Sequence, residues 1–291
     1  ADDGSWRMAV VAGEVTERRY LPSTFVLETT WRSPTGTARV TEFLPPAGSQ
    51  GDLVRRVECL EGSVEVEHDL RLRFDYGRAA PWVRRVELDD GEPALLALAG
   101  PDGILVTGPE LGWPDGDGDD RSGTSRPGAH HGGRAGGGRA PRLVGKFAMS
   151  AGETLDWDLT WFPSYSDPPE PPDADTALAE TVEFWSDWAA HLEVETDHRD
   201  LVRRSLLVLR ALTHLETGGI VAAPTASLPE FFGGSRNWDY RYVWLRDAAL
   251  TIEVAIRHGL TDGASLWRNW LLRAVAGDAK DVRIMYGLAG E

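Results

Sequence analysis

Residues 164–176, SYSDPPEPPDADT, separate two stretches whose apolar residues repeat with different periods. The prolines of this segment hold the backbone extended and remove amide donors, which is the composition of a stiff linker. On its N-terminal side, from Thr24 to Phe162, the dominant period is two, the spacing that sends alternate side chains to one face of a sheet. In VEVEHDLRLRF, Val64, Val66, Leu70, Leu72 and Phe74 share one face with His68, while Glu65, Glu67, Asp69, Arg71 and Arg73 share the other. TLDWDLTWF repeats the pattern, with Leu155, Trp157, Leu159 and Trp161 set against Asp156, Asp158 and Thr160. Turn residues interrupt the runs at SPTG (33–36), EGS (61–63) and DDGEP (89–93), so hairpins are predicted there. Many strands with no helix between them predict an antiparallel β-sandwich.

Beyond the linker the period becomes helical. Leu178, Val182, Trp185, Trp188, Ala189 and Leu192 form one stripe. A second helix is predicted from about Leu201 to Glu216, apolar nearly all round and therefore buried on several sides, with Gly218 and Gly219 as its stop. A third is predicted over 248–258 ahead of Gly259, and a fourth carries Trp267, Trp270, Leu271 and Ala274 at i, i+3, i+4 and i+7. The chain therefore reads as β first, then helical hairpins.

The charge balance narrows the partners. With 46 acidic against 30 basic residues and a net charge of −16, the 291-residue chain repels phosphate backbones and anionic lipid. Nucleic acid and membrane surfaces are not expected as partners. No apolar run reaches the length of a membrane span, and the N-terminus has no signal-peptide pattern. Cys59 is the single cysteine, which excludes an internal disulfide framework and fits a reducing, cytoplasmic setting. Residues 114–141 hold almost nothing that can be buried, and a flexible Gly-rich insertion is expected there. His130 and His131 within it lack a preorganised frame, so no metal site is expected.

Aromatic and charged residues crowd the stretch SRNWDYRYVWLRDAAL, residues 235–250. Trp238, Tyr240, Tyr242 and Trp244 alternate with Asp239, Arg241 and Val243, so an extended segment would present the four rings along one side. Arg246 and Asp247 follow at a helix entrance. Sugars are bound by such sets: ring faces pack on aromatic planes, while a guanidinium fork and a carboxylate hydrogen-bond vicinal hydroxyls. A purely structural alternative stands beside this one. Asp247 is a good N-cap, Arg246 could pair with Asp239 or Asp247, and the rings could serve packing alone.

The stretch NWDYRYVWLRDAAL resembles the signature segment of glycoside hydrolase family fifteen, which holds glucoamylases, glucodextranases and trehalases. RRYLPSTFVLETTW, FDYGR, GGIVAAPTASLPE and RIMYGLAGE resemble further family segments in the same order, so the likeness runs along nearly the whole chain outside the Gly-rich stretch. It is nearest to actinobacterial trehalase-like members. The resemblance implies a sandwich over 1–163, a Pro-rich linker and linker helix over 164–197, and the first helices of an (α/α)6 barrel over 198–291. It further implies that Arg246 and Asp247 hold hydroxyls of the non-reducing glucose and that Tyr240 and Trp244 line the same subsite. Trp238 and Tyr242 are expected to be structural supports.

Family members cleave α-glucosidic bonds with inversion, using one Glu as acid and another as base. By the resemblance both belong to barrel segments beyond residue 291, so the chain reads as an internal fragment and its catalytic residues are unknown. Glu230, Asp239, Glu253 and Glu291 are available but lie outside the segments the family uses for that work. The expected activity is α,α-trehalase, with a glucoamylase- or glucodextranase-type glucan exo-hydrolase as the alternative and a non-catalytic carbohydrate-binding scaffold as a reading from another class. The expected partner is a small carbohydrate, and homo-oligomers are left open. No cofactor is evident; phosphate or magnesium dependence belongs to the trehalase reading alone.

Overall fold

The computed structural model describes residues 4–46, 51–112, 142–225 and 230–291. The expected insertion at 114–141 lies outside the described residues. The chain forms two compact units, one of Ala1–Leu21 with Phe25–Glu183, the other of Pro22–Thr24 with Phe184–Glu291.

The first unit is built from antiparallel strands: β1 (Ser5–Val10), β2 (Glu14–Tyr20), β3 (Leu27–Arg32), β4 (Gly36–Phe43), β5 (Gly51–Arg71), β6 (Trp82–Glu87), β7 (Pro93–Ala99), β8 (Asp102–Thr107), β9 (Arg142–Ser150) and β10 (Thr154–Pro163). Hydrogen bonding runs in the order β2-β3-β4-β5-β10-β8-β7-β6, while β1 and β9 flank the second half of β5. β5 thus belongs to two layers. Val10, Val64, Val66 and Met149 of the smaller layer pack on Ala38, Val40, Val57, Cys59 and Trp157 of the larger one, and Leu70 and Leu143 pack on Leu95, Ala97 and Val106. The inner face predicted for residues 64–74 is observed, with Val64, Val66, His68, Leu70, Leu72 and Phe74 all buried.

The predicted turns at 33–36 and 89–93 are observed, but that at 61–63 is not. Gly62 lies inside β5 at φ +66°, where a side chain would collide with the Thr35 carbonyl oxygen, and the β4–β5 register shifts between Thr37 and Ala38. A positive φ beside a bulge bends a strand instead of reversing it. Gly62 is therefore the point at which β5 passes from one layer to the other.

His68 is a core histidine. The Trp6 indole N–H donates to its Nε2, the Trp157 ring meets it edge-on at 4.8 Å, and burial pushes its pKa down to about 4. Because Nε2 accepts, the neutral ring carries its proton on Nδ1, a buried donor with no partner among the described residues.

β10 departs from its predicted pattern. Trp157 is buried as expected, yet Asp158 and Thr160 on the opposite face are buried as well, and Trp161 is exposed. The outer face of the larger layer is covered too. Val26, Phe43 and Val54 pack against Ala174, Ala177, Leu178 and Val182 of α1 (Ala174–Ala190), and Ala94, Leu96, Leu105 and Phe162 form a separate cluster. Asp173 caps α1 by accepting from the Thr176 N–H at 2.9 Å, and Arg56 joins Asp156 of the sheet to Asp175 of the helix.

The second unit holds α2 (Arg199–Ala211), β11 (Val243–Trp244), α3 (Leu245–Arg257), α4 (Asp262–Ala274) and β12 (Met285–Tyr286). α2 is shorter than predicted and is not buried all round. Leu206 and Leu207 face inward, whereas Leu201 and Val208 are exposed and Arg203, Arg204 and Arg210 interrupt its apolar surface. The α4 stripe is well partnered: Trp270 is fully buried among Ile220, Val243, Ala248 and Tyr286, with Trp267, Leu271 and Ala274 packed against them. Among the described residues no helix is long and apolar enough to cross a membrane.

Candidate functional site

Three separate stretches, 219–223, 239–247 and 283–288, meet in the second unit. β11 pairs with β12 through Val243↔Tyr286 and Trp244↔Met285. On the other side the Ala222 N–H donates to the Tyr242 carbonyl at 3.1 Å and the Ala223 N–H to that of Tyr240 at 2.8 Å. Gly219 makes the approach feasible, because a Cβ there would lie 2.9 Å from the Leu288 carbonyl oxygen and 3.2 Å from Val243. Trp270 closes the base: its indole N–H donates to Leu288 O at 2.8 Å and its ring meets Tyr286 edge-on at 5.9 Å.

The aromatic segment is not uniformly extended. It turns at residues 240 and 241 before entering β11. Of its four rings, Tyr240 and Trp244 pack together, with centroids 5.9 Å apart and planes tilted by 33°. Trp238 and Tyr242 are 48% and 42% exposed, so they are not the packing supports expected of them. Val243, Trp270 and Tyr286 take that part instead.

Asp247 is not the N-cap of α3. Trp244 holds that position without a side-chain cap, and the Leu245 N–H is satisfied at 3.2 Å by the Ile284 carbonyl. Asp247 stands in the first turn, where the positive end of the helix favours a carboxylate. Its Oδ2 accepts from Arg246 Nη2 at 2.9 Å, an ion pair with the guanidinium largely in solvent. Such a pair contributes little to stability, about 0–1 kcal/mol. It does hold a fork of donors and a carboxylate side by side, adjacent in sequence to the half-buried Tyr240–Trp244 rings, the combination that could grip one edge of a sugar.

The other carboxylates have partners of their own. Glu230 lies 3.3 Å from Arg236, Glu253 accepts from Arg257 at 2.5 Å, and Glu291 accepts the Ala289 N–H at 3.1 Å. Asp239 binds Arg241 three times: Oδ1 accepts from the backbone N–H at 3.0 Å and from Nε at 3.0 Å, and Oδ2 accepts from Nη2 at 2.7 Å. The sequence reading missed this ring, although Asp-x-Arg is a recognisable Asx-turn pattern. Among the described residues no group of three His, Cys, Asp or Glu able to hold a metal occurs. A cavity of about 360 Å³ opens among α1, α2, α3 and α4, lined by Trp188, Leu206, Arg210, Ile252 and Leu266. It lies apart from Tyr240, Trp244, Arg246 and Asp247, which form an open wall.

The family model described as Glycosyl hydrolases family 15 matches residues 196–291, the segment that contains the whole wall. Trehalase from Mycolicibacterium smegmatis is 29% identical over 94% of this chain and 41% of its own length. Trehalase from Thermoplasma acidophilum is 40% identical over 38% of the chain and 19% of its own length. A bacterial glucoamylase solved in complex with acarbose superimposes with a TM-score of 0.65 at 13% identity, covering 99% of this chain and 44% of that one, a likeness of fold. The chain spans about two-fifths of the mycobacterial relatives it matches. Its likeness to glycosyl hydrolases family 15 is carried by residues 196–291.

Proposed function

We propose that this protein takes part in the inverting hydrolysis of α-glucosidic bonds, most specifically as an α,α-trehalase that releases glucose from trehalose. Tyr240 and Trp244 take the apolar face of the non-reducing glucose, and Arg246 and Asp247 take its hydroxyls. The observation that carries this reading is the pairing of those two rings beside the Arg246–Asp247 pair at the start of α3. The names of the family relatives support the substrate. In the same reading, 1–163 is the sandwich domain, 164–197 the linker, and 198–291 the beginning of an (α/α)6 barrel.

Inversion needs one carboxyl to protonate the leaving oxygen and another to activate water across the ring, roughly 6.5–9.5 Å apart. This proposal assigns neither role to Glu230, Asp239, Glu253 or Glu291. It assigns this chain the recognition of one glucose. The exposed rings of Trp238 and Tyr242 favour a second reading, a glucoamylase-type exo-hydrolase acting on longer α-glucans, since further sugar units would need further stacking surfaces.

The test is steady-state kinetics of the full-length protein on trehalose, maltose and soluble starch, with the anomer of the released glucose read by NMR and with phosphate or magnesium added in turn. Asp247→Ala removes charge-assisted hydrogen bonds of about 1.5–3 kcal/mol each. Arg246→Lys replaces a fork by a point charge. Both should lower kcat/KM at least tenfold; wild-type kcat/KM in either variant would overturn the assignment.

A further inference from the structure

We infer that Asp239 and Arg241 form a positioning clasp that sets the separation of Tyr240 and Trp244, and so the width of the aromatic face offered to the sugar. The inference rests on the proposed sugar site and adds to it a pair of residues that touch no substrate.

Tyr240 is the residue enclosed by the clasp. Three hydrogen bonds between Asp239 and Arg241 close a tight ring around it, two of them to a single carboxylate oxygen. Its own carbonyl is held from the opposite side by the Ala223 N–H. The Asp239 backbone carbonyl accepts the Trp244 indole N–H at 3.3 Å, so the same residue that fixes the turn also anchors the second ring. Both rings of the tilted pair are therefore referred to one point in the chain. Their centroid spacing of 5.9 Å follows from that common anchor as well as from their own contact.

The clasp is suited to setting geometry without supporting the fold. Its ion pair is solvent-exposed, with side chains 32% and 42% accessible, and screening leaves such a pair little influence on global stability. The packing of the unit rests elsewhere, on Val243, Trp270 and Tyr286. The carboxylate accepts a backbone N–H as well as the guanidinium, so an amide at 239 retains the Asx turn and loses the ion pair, whereas alanine loses both.

In full-length protein, Asp239→Ala should raise KM for trehalose about tenfold with kcat changed less than threefold, the pattern of lost uniform binding. Asp239→Asn should recover most of that loss. The exchanged pair Asp239→Arg with Arg241→Asp, which can still form an ion pair but loses the original Asx turn, should behave like alanine. The Tm should stay within about 2 °C of wild type throughout, and the Trp244 indole N–H resonance should shift in Asp239→Ala. An Asp239→Ala variant with KM within twofold of wild type and an unshifted Trp244 resonance overturns the clasp, as does a loss of many degrees in Tm, which would make it a fold support. Tyr240→Ala and Trp244→Ala separate the two claims. If they leave KM unchanged, the sugar wall itself is wrong; if they raise it while Asp239→Ala does not, only the clasp fails.

Discussion

Replacing Asp158 by asparagine should stabilise the protein at neutral and alkaline pH and remove a pH dependence that the wild type carries. Asp158 is 5% exposed on the outer face of β10, and its Oδ1 has no partner among the described residues. Burial, with the Asp52 carboxylate as a lesser contribution, raises its pKa from 3.8 to about 7, against the opposing hydrogen bond from Thr160 at 2.5 Å. A folded-state value above the unfolded one means that the native state binds more protons between pH 4 and 7. The stability contribution of this carboxyl is therefore full below about pH 4, falls as pH rises through that window, and stays lost above 7. At about 1.4 kcal/mol per unit, the full penalty is at most about 4 kcal/mol, and the part developed between pH 5 and 7 is about 3 kcal/mol. The amide of the Asp158→Asn variant can still accept from Thr160 and adds a donor close to Asp52, whose own buried Oδ1 is unpartnered among the described residues. The assay is thermal or urea unfolding of both proteins at pH 5 and 8, with the variant subtracting every other titrating group. The Tm advantage of the variant should grow between the two conditions by roughly 6–12 °C, taking 2–4 °C per kcal/mol for a domain of this size. A constant difference, or a variant less stable than wild type at pH 8, would refute the buried-carboxyl account.

His68→Phe should flatten the acid limb of the stability curve. The folded value of about 4 lies below the usual 6.5, so stability present above 6.5 is lost as pH falls towards 4, and Tm measured at pH 7 and 4.5 in wild type and variant checks the difference. Gly62→Ala should cost several kcal/mol, because it combines a positive φ with a collision against the Thr35 carbonyl oxygen; a variant with wild-type Tm would show that β5 does not need this bend. The wall predicts that trehalose or glucose protects full-length protein against quenching of Trp244 fluorescence by acrylamide, with no protection in Asp247→Ala.

The alternation of residues 64–74 determined their inner and outer faces unaided, since a side-chain period of two follows from strand geometry whatever the strand pairs with. Residues 240, 244, 246 and 247 stood out in the sequence because aromatic planes beside a fork and a carboxylate form a chemical pattern within one short stretch; their role toward a sugar is the proposal above. Tertiary structure decided what depends on neighbours distant in sequence. The same kind of Gly-containing turn signal closes a hairpin at 89–93 but bends a strand at Gly62, because β1 and β9 are there to pair with the far half of β5. Asp158 has the parity expected of it, yet that face of the sheet is covered by α1 and a second apolar cluster, and no local pattern records a covering element. The wall takes its backing from Ala222, Ala223 and Ile284, through bonds between backbone groups that leave almost no trace in side-chain identity. Local periodicity specifies which way a side chain points; only the assembled chain specifies what stands opposite it.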